Sequence, residues 1–94
     1  MDTMIFKIEI NAINAIKNSS LLPAGVIEVS GNFSRGDIVA IKNVEKKIIG
    51  WGIANYSSKE ISKIKGMKTK EMQNVVDKNF GSEIIHRNNL VITI

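Results

Sequence analysis

Ser20-Leu21-Leu22-Pro23-Ala24-Gly25-Val26 is the most telling heptad in this 94-residue chain. Proline fixes one backbone angle, alanine adds little bulk, and glycine admits conformations closed to other residues. The result is a rigid, low-profile loop whose backbone groups can be approached closely. Asn18-Ser19-Ser20 before it favours local side-chain hydrogen bonds over a continued helix. After it, Val26 to Val29 reads as a strand, and Gly31 to Gly36 as a turn with Phe33 facing inward.

The rest of the chain is arranged around that loop. Ile5 to Ile10 alternates, Lys7 and Glu9 against Ile8 and Ile10, which predicts a strand. Asn11 opens a short helical stretch on the spacing of Ala12, Ala15 and Ile16. Asp37 to Lys42 is a strand rich in β-branched residues, Asn43 to Lys46 a hairpin loop, and Ile48 to Ala54 the returning strand. Gly50 and Gly52 in that strand predict a bend or a close backbone approach. Ser57 with Glu60 three residues on is a capping box, so a helix starts there, with Ile61 and Ile64 on its apolar side and Gly66 at its end. Thr69 is read as a second N-cap before Met72, Val75 and Val76. Gly81 precedes two closing strands, Glu83 to His86 and Leu90 to Ile94, joined at Arg87-Asn88-Asn89.

Taken in order, Ser20 to Val26, Gly31-Asn32-Phe33-Ser34-Arg35-Gly36-Asp37, Asn55-Tyr56-Ser57-Ser58 and His86-Arg87-Asn88-Asn89 resemble a PUA domain. The similarity runs from about Ile8 to Ile92 and is narrowest to the version at the C-terminus of bacterial glutamate 5-kinases. The resemblance implies a mixed α/β (α+β) pseudo-barrel of about five to seven short strands with two to three short helices. It also implies that residues 1–94 form one PUA-like domain, with residues 1–7 expected as an N-terminal extension outside the family pattern. Two departures stand out. Asn11 replaces the glycine expected at the first corner, between Glu9 and Ala12. Asn88 replaces the acid in the usual His-Arg-Asp-Asn, which suits a turn better than a role needing negative charge.

Composition sets the outer bounds. Folding at this length hides only about 60–65% of the unfolded chain's surface, enough for one core given a hydrophobic content of 44%. No apolar run approaches the roughly 18–20 residues of a membrane span, and no secretory signal is visible. The absence of cysteine excludes disulfides and thiolate metal sites and fits a cytoplasmic protein. No cofactor is expected. Catalysis by this chain alone is not expected either: the single His86 has no partner for zinc or for a nucleophile. Gly50-Trp51-Gly52 lacks the third glycine and the strand-to-helix setting of a nucleotide site.

Two partner classes remain. Lys59, Lys63, Lys65, Lys68 and Lys70 stand against Glu60 alone, so this stretch equals the whole net charge of +4. It reads either as an electrostatic footprint for RNA or as the solvated side of an amphipathic helix. By resemblance to RNA-binding relatives, Lys17, Ser19, Ala24 and Gly25 are the contact candidates around the loop, with Lys59 and Lys63 adding attraction. The alternative is that the loop only shapes the turn into the strand. The kinase resemblance implies instead an amino-acid-kinase domain, in cis or in trans, which this chain would serve as an accessory or regulatory module in proline biosynthesis. Trp51 and Tyr56 are read as either core residues or base-stacking platforms.

Overall fold

The computed structural model of the chain describes residues 6–11, 16–17, 20–76 and 80–93. Its centre is a mixed five-stranded sheet ordered β4-β1-β5-β6-β7. The strands are β1 (Lys7–Ile10), β4 (Val26–Ser30), β5 (Ile38–Lys42), β6 (Ile48–Ile53) and β7 (Leu90–Ile92), and two short strands, β2 (Ile16–Lys17) and β3 (Ser20–Leu21), pair apart from it. β1 lies between β4, antiparallel, and β5, parallel. The helices are α1 (Ser58–Ile64) and α2 (Thr69–Met72).

Alternation in β1 puts Ile8 and Ile10 into the core, where they meet Val39 and Ile41 of β5 and Ile61 and Ile64 of α1. Phe33 is buried in the middle of its turn and stacks obliquely on Phe6, 5.6 Å between centroids. The β5–β6 hairpin closes as expected. Asn43 Oδ1 accepts from the backbone N–H groups of Glu45 and Lys47, and Lys46 takes a positive φ of 68°. Burial of so many β-branched and aromatic side chains in one cluster is the main stabilising contribution at this size.

α1 begins as its capping box dictates. Ser57 Oγ accepts from Glu60 N–H, and Glu60 Oε1 accepts from Ser57 N–H. Ser58 next to it is buried and ties the helix to the Phe33 turn through both backbone groups of Phe33. Ser57→Ala is expected to cost about 1 kcal/mol, read as a lower urea midpoint with an unchanged slope.

Three local expectations are revised. Ala12 and Ala15 lie outside the described residues, but Ile16 belongs to a strand and not a helix, paired with Leu21. A helical pattern this short does not nucleate by itself, and backbone pairing with β3 takes the segment instead. The N-cap of α2 is Lys68, one residue before Thr69, and Glu71 Oε1 accepts from its N–H. Glu83 to His86 forms no strand but a single bridge at Ile85, and it does not pair with the last strand. Ile85 bridges Leu21, whereas β7 pairs with β6. The Arg87–Asn89 segment forms a 3-10 turn that carries the chain from one partner to the other.

Candidate nucleic-acid interface

Pro23–Gly25 folds as a single 3-10 turn, started by proline at its first position and closed by Gly25 N–H to the Leu22 carbonyl at 3.2 Å. Pro23 and Gly25 are buried, and Ala24 between them is exposed. The Gly25 carbonyl accepts from Asn11 N–H at 3.1 Å, which fixes the corner after β1. Gly25 is buried in a helical turn and is not one of the positive-φ glycines.

The decisive contact is across the molecule. Pro23 O accepts a 2.7 Å hydrogen bond from the N–H of Gly66, the residue with φ of 78° that ends the lysine-rich helix. α2 also packs against the turn, and α1 against β4. The loop and the basic stretch thus form one surface. Lys63, Lys68 and Lys70 are exposed around it. Lys65 reaches Glu28 of β4, Nζ to Oε1 3.2 Å. That hydrogen bond and charge hold the Glu28 carboxyl below its ordinary value. The contact is present above the usual carboxylate range and fades as pH falls through the lowered value.

The sequence candidates fare differently. The Pro23–Gly66 hydrogen bond joins the turn that holds Ala24 and Gly25 to the end of α1, whose last turn holds Lys63. Lys59 is exposed but sits in the first turn of α1, about 10 Å along the helix from Gly66. Lys17 lies in β2, where it pairs with Ser20 of β3, and Ser19 lies outside the described residues. Lys65, Lys68 and Lys70, counted in the basic stretch but not among the contact candidates, flank the same helix end. The signal was Gly66, which stops α1 where its end can dock on the loop.

His86 caps its turn, with Nδ1 accepting from Asn88 N–H at 3.1 Å, so Asn88 contributes a backbone group and needs no charge. Arg87 N–H donates to buried Ser20 Oγ, which ties this turn to the start of the opening heptad. Tyr56 is fully buried, its hydroxyl donating to Gly81 O, while Trp51 stands on the surface. Among the described residues no group of three potential metal ligands gathers.

The PUA domain model matches residues 6–76, about three quarters of the chain. The chain belongs to the PUA domain family. A PUA domain from Aeropyrum pernix K1, solved as a tartrate complex, shares the fold with a TM-score of 0.56 and 27% identity over 62% of this chain and 34% of that one. Glutamate 5-kinases are nearer in sequence. That of Aquifex aeolicus is 51% identical over 94% of this chain, and that of Vibrio campbellii 42% over 90%. This PUA domain spans only about a quarter of those kinases, 25% and 23% of their lengths. No helix among the described residues is long and apolar enough to cross a membrane.

Proposed function

We propose that this PUA domain is a non-catalytic accessory module of a glutamate 5-kinase, acting in proline biosynthesis by tuning the kinase's assembly or its response to proline. The observation that carries this reading is 51% identity extending over 94% of the chain yet only 25% of the Aquifex enzyme. A quarter-length match leaves the phosphoryl-transfer machinery to the remaining three quarters. The test exchanges the matching segment of the Aquifex kinase for this chain, or deletes it. Phosphorylation of glutamate should persist in both. Deletion should change proline inhibition or oligomeric state, and the exchanged domain should restore them. Identical inhibition and assembly in all three proteins would sink the proposal.

A second reading is RNA binding, supported by the hydrogen bond that joins the Pro23–Gly25 turn to the end of the lysine-rich helix. Affinity for a structured RNA should then fall with salt, because each neutralised phosphate releases counterions. Lys59→Glu with Lys63→Glu should weaken binding broadly and flatten the slope of log K against log salt. An unchanged slope would remove these lysines from the interface. Gly25→Val should act by another route. A β-branched side chain forced into a buried turn is expected to cost about 1–3 kcal/mol and to abolish specific RNA binding. A Gly25→Val protein that melts and binds like wild type would show that the turn is neither packed nor recognised.

A further inference from the structure

The outward face of β5, β6 and β7 carries an apolar surface that neither the core nor the basic end explains. Ile38 is 66% exposed, Trp51 40%, Ile53 40% and Val91 61%. The ladder makes these four neighbours, since Ile38 faces Ile53 and Trp51 faces Val91 on adjacent strands. Cross-strand pairs of this kind have Cβ atoms about 4.5–5.5 Å apart, so they form one contiguous patch. It holds the chain's only tryptophan. Aromatic anchors ringed by aliphatic residues are what protein interfaces use.

Three features say what covers it. First, the patch is remote from the basic surface: α1 packs on β4, the edge of the sheet opposite β7. On the β1–β5 half of this face Lys7 stands in register with Ala40, and Glu9 is engaged by Lys42 and Lys46. The four patch residues themselves carry no charge for a polyanion to grip. Second, Lys7 at the start of β1 is in register with Ala40, Ala40 with Trp51, and Trp51 with Val91. This row places the beginning of β1 about 10 Å from Trp51, two strand spacings away. Ile38 and Ile53 lie one pleat further toward the side from which β1 enters. Third, the matched kinases hold about three quarters of their length outside this domain.

We infer that the Ile38–Trp51–Ile53–Val91 face is the docking surface for the kinase domain of the proposed function, on which this inference rests. A domain attached ahead of β1 arrives beside the patch and buries it without a long linker. The same geometry serves a partner in trans.

The test uses the 94-residue chain and the Aquifex glutamate 5-kinase deleted of its matching segment. Trp51→Lys and Ile53→Ser point outward and should leave the chain's melting temperature close to wild type. Sedimentation should show wild-type chain binding the deleted kinase, weakened about tenfold or more by either variant. Lys59→Glu with Lys63→Glu should bind as wild type. Equal binding by wild type and Trp51→Lys overturns the docking face. So does a wild-type chain that self-associates through the patch without engaging the kinase, or a patch variant that loses RNA binding alone. The exchanged enzyme separates the two levels. If deletion alters proline inhibition but Trp51→Lys in the exchanged enzyme does not, the accessory role stands and this face is wrong. If neither has any effect, both fall.

Discussion

Tyr56→Ala is expected to destabilise the domain by about 3–5 kcal/mol, the range for deleting a large buried ring. Tyr56 is fully buried, its ring packs edge-on against Phe80 with centroids 6.1 Å apart, and its hydroxyl donates to Gly81 O. Arg35 in turn lies over the other ring of that pair, 4.1 Å from the Phe80 centroid. The substitution therefore opens a cavity where the segment before the last strand is anchored. A domain of this length has about 5–14 kcal/mol in total, so the loss is a large fraction. Thermal unfolding should fall by about 12 °C or more. Tyr56→Phe keeps the ring and should lose only about 1–2 kcal/mol, which isolates the hydroxyl. Equal melting of the alanine variant and wild type would contradict the placement of Tyr56.

Gly50→Ala is expected to cost about 2–3 kcal/mol for a single added methyl group. A Cβ at Gly50 would stand 2.5 Å from the Val91 carbonyl oxygen and 2.9 Å from Ile92 Cδ1. The isoleucine can rotate, but the carbonyl belongs to the backbone of β7 and cannot move without opening the β6–β7 ladder. Amide exchange should accelerate in β7 first, with β1 and β5 less affected. Gly36 is the control of opposite kind. Nothing lies within 4 Å of a Cβ there, yet its φ is 95°, so Gly36→Ala should cost through backbone strain and leave β7 protection untouched. Uniform loss of protection in Gly50→Ala would place the glycine's role elsewhere.

These two residues mark how far the sequence could be read. Gly50 and Gly52 signalled a close approach, and the approach exists, but its partners came from forty residues downstream. A Cβ at Gly52 would meet Ile85 side-chain atoms at 2.8 and 2.9 Å and the Asn89 carbonyl at 3.0 Å. Trp51 and Tyr56 were indistinguishable as aromatic residues near a strand. Strand alternation turns one to solvent, while the turn before α1 delivers the other into the core. The lysine stretch was visible as charge. Its contact with the opening heptad was not, because a hydrogen bond between Gly66 and Pro23 leaves no periodic trace.

What the sequence by itself determined is what neighbours in the chain settle between them. Ser57 and Glu60 cap α1 over three residues, Asn43 closes its own hairpin, and alternation commits Ile8 and Ile10 to the core face. The ordered heptad and turn motifs carried the family, since they report the same local backbone shapes wherever that fold occurs. Tertiary structure alone decided which strands meet. Period-two alternation tells which side of a strand is buried and says nothing of its partner. The two closing segments looked like a hairpin because they are adjacent in sequence, but only β7 is a strand. They separate because Leu21 offers Ile85 a ladder position and β6 offers one to β7, across glycines that leave no side chain in the way.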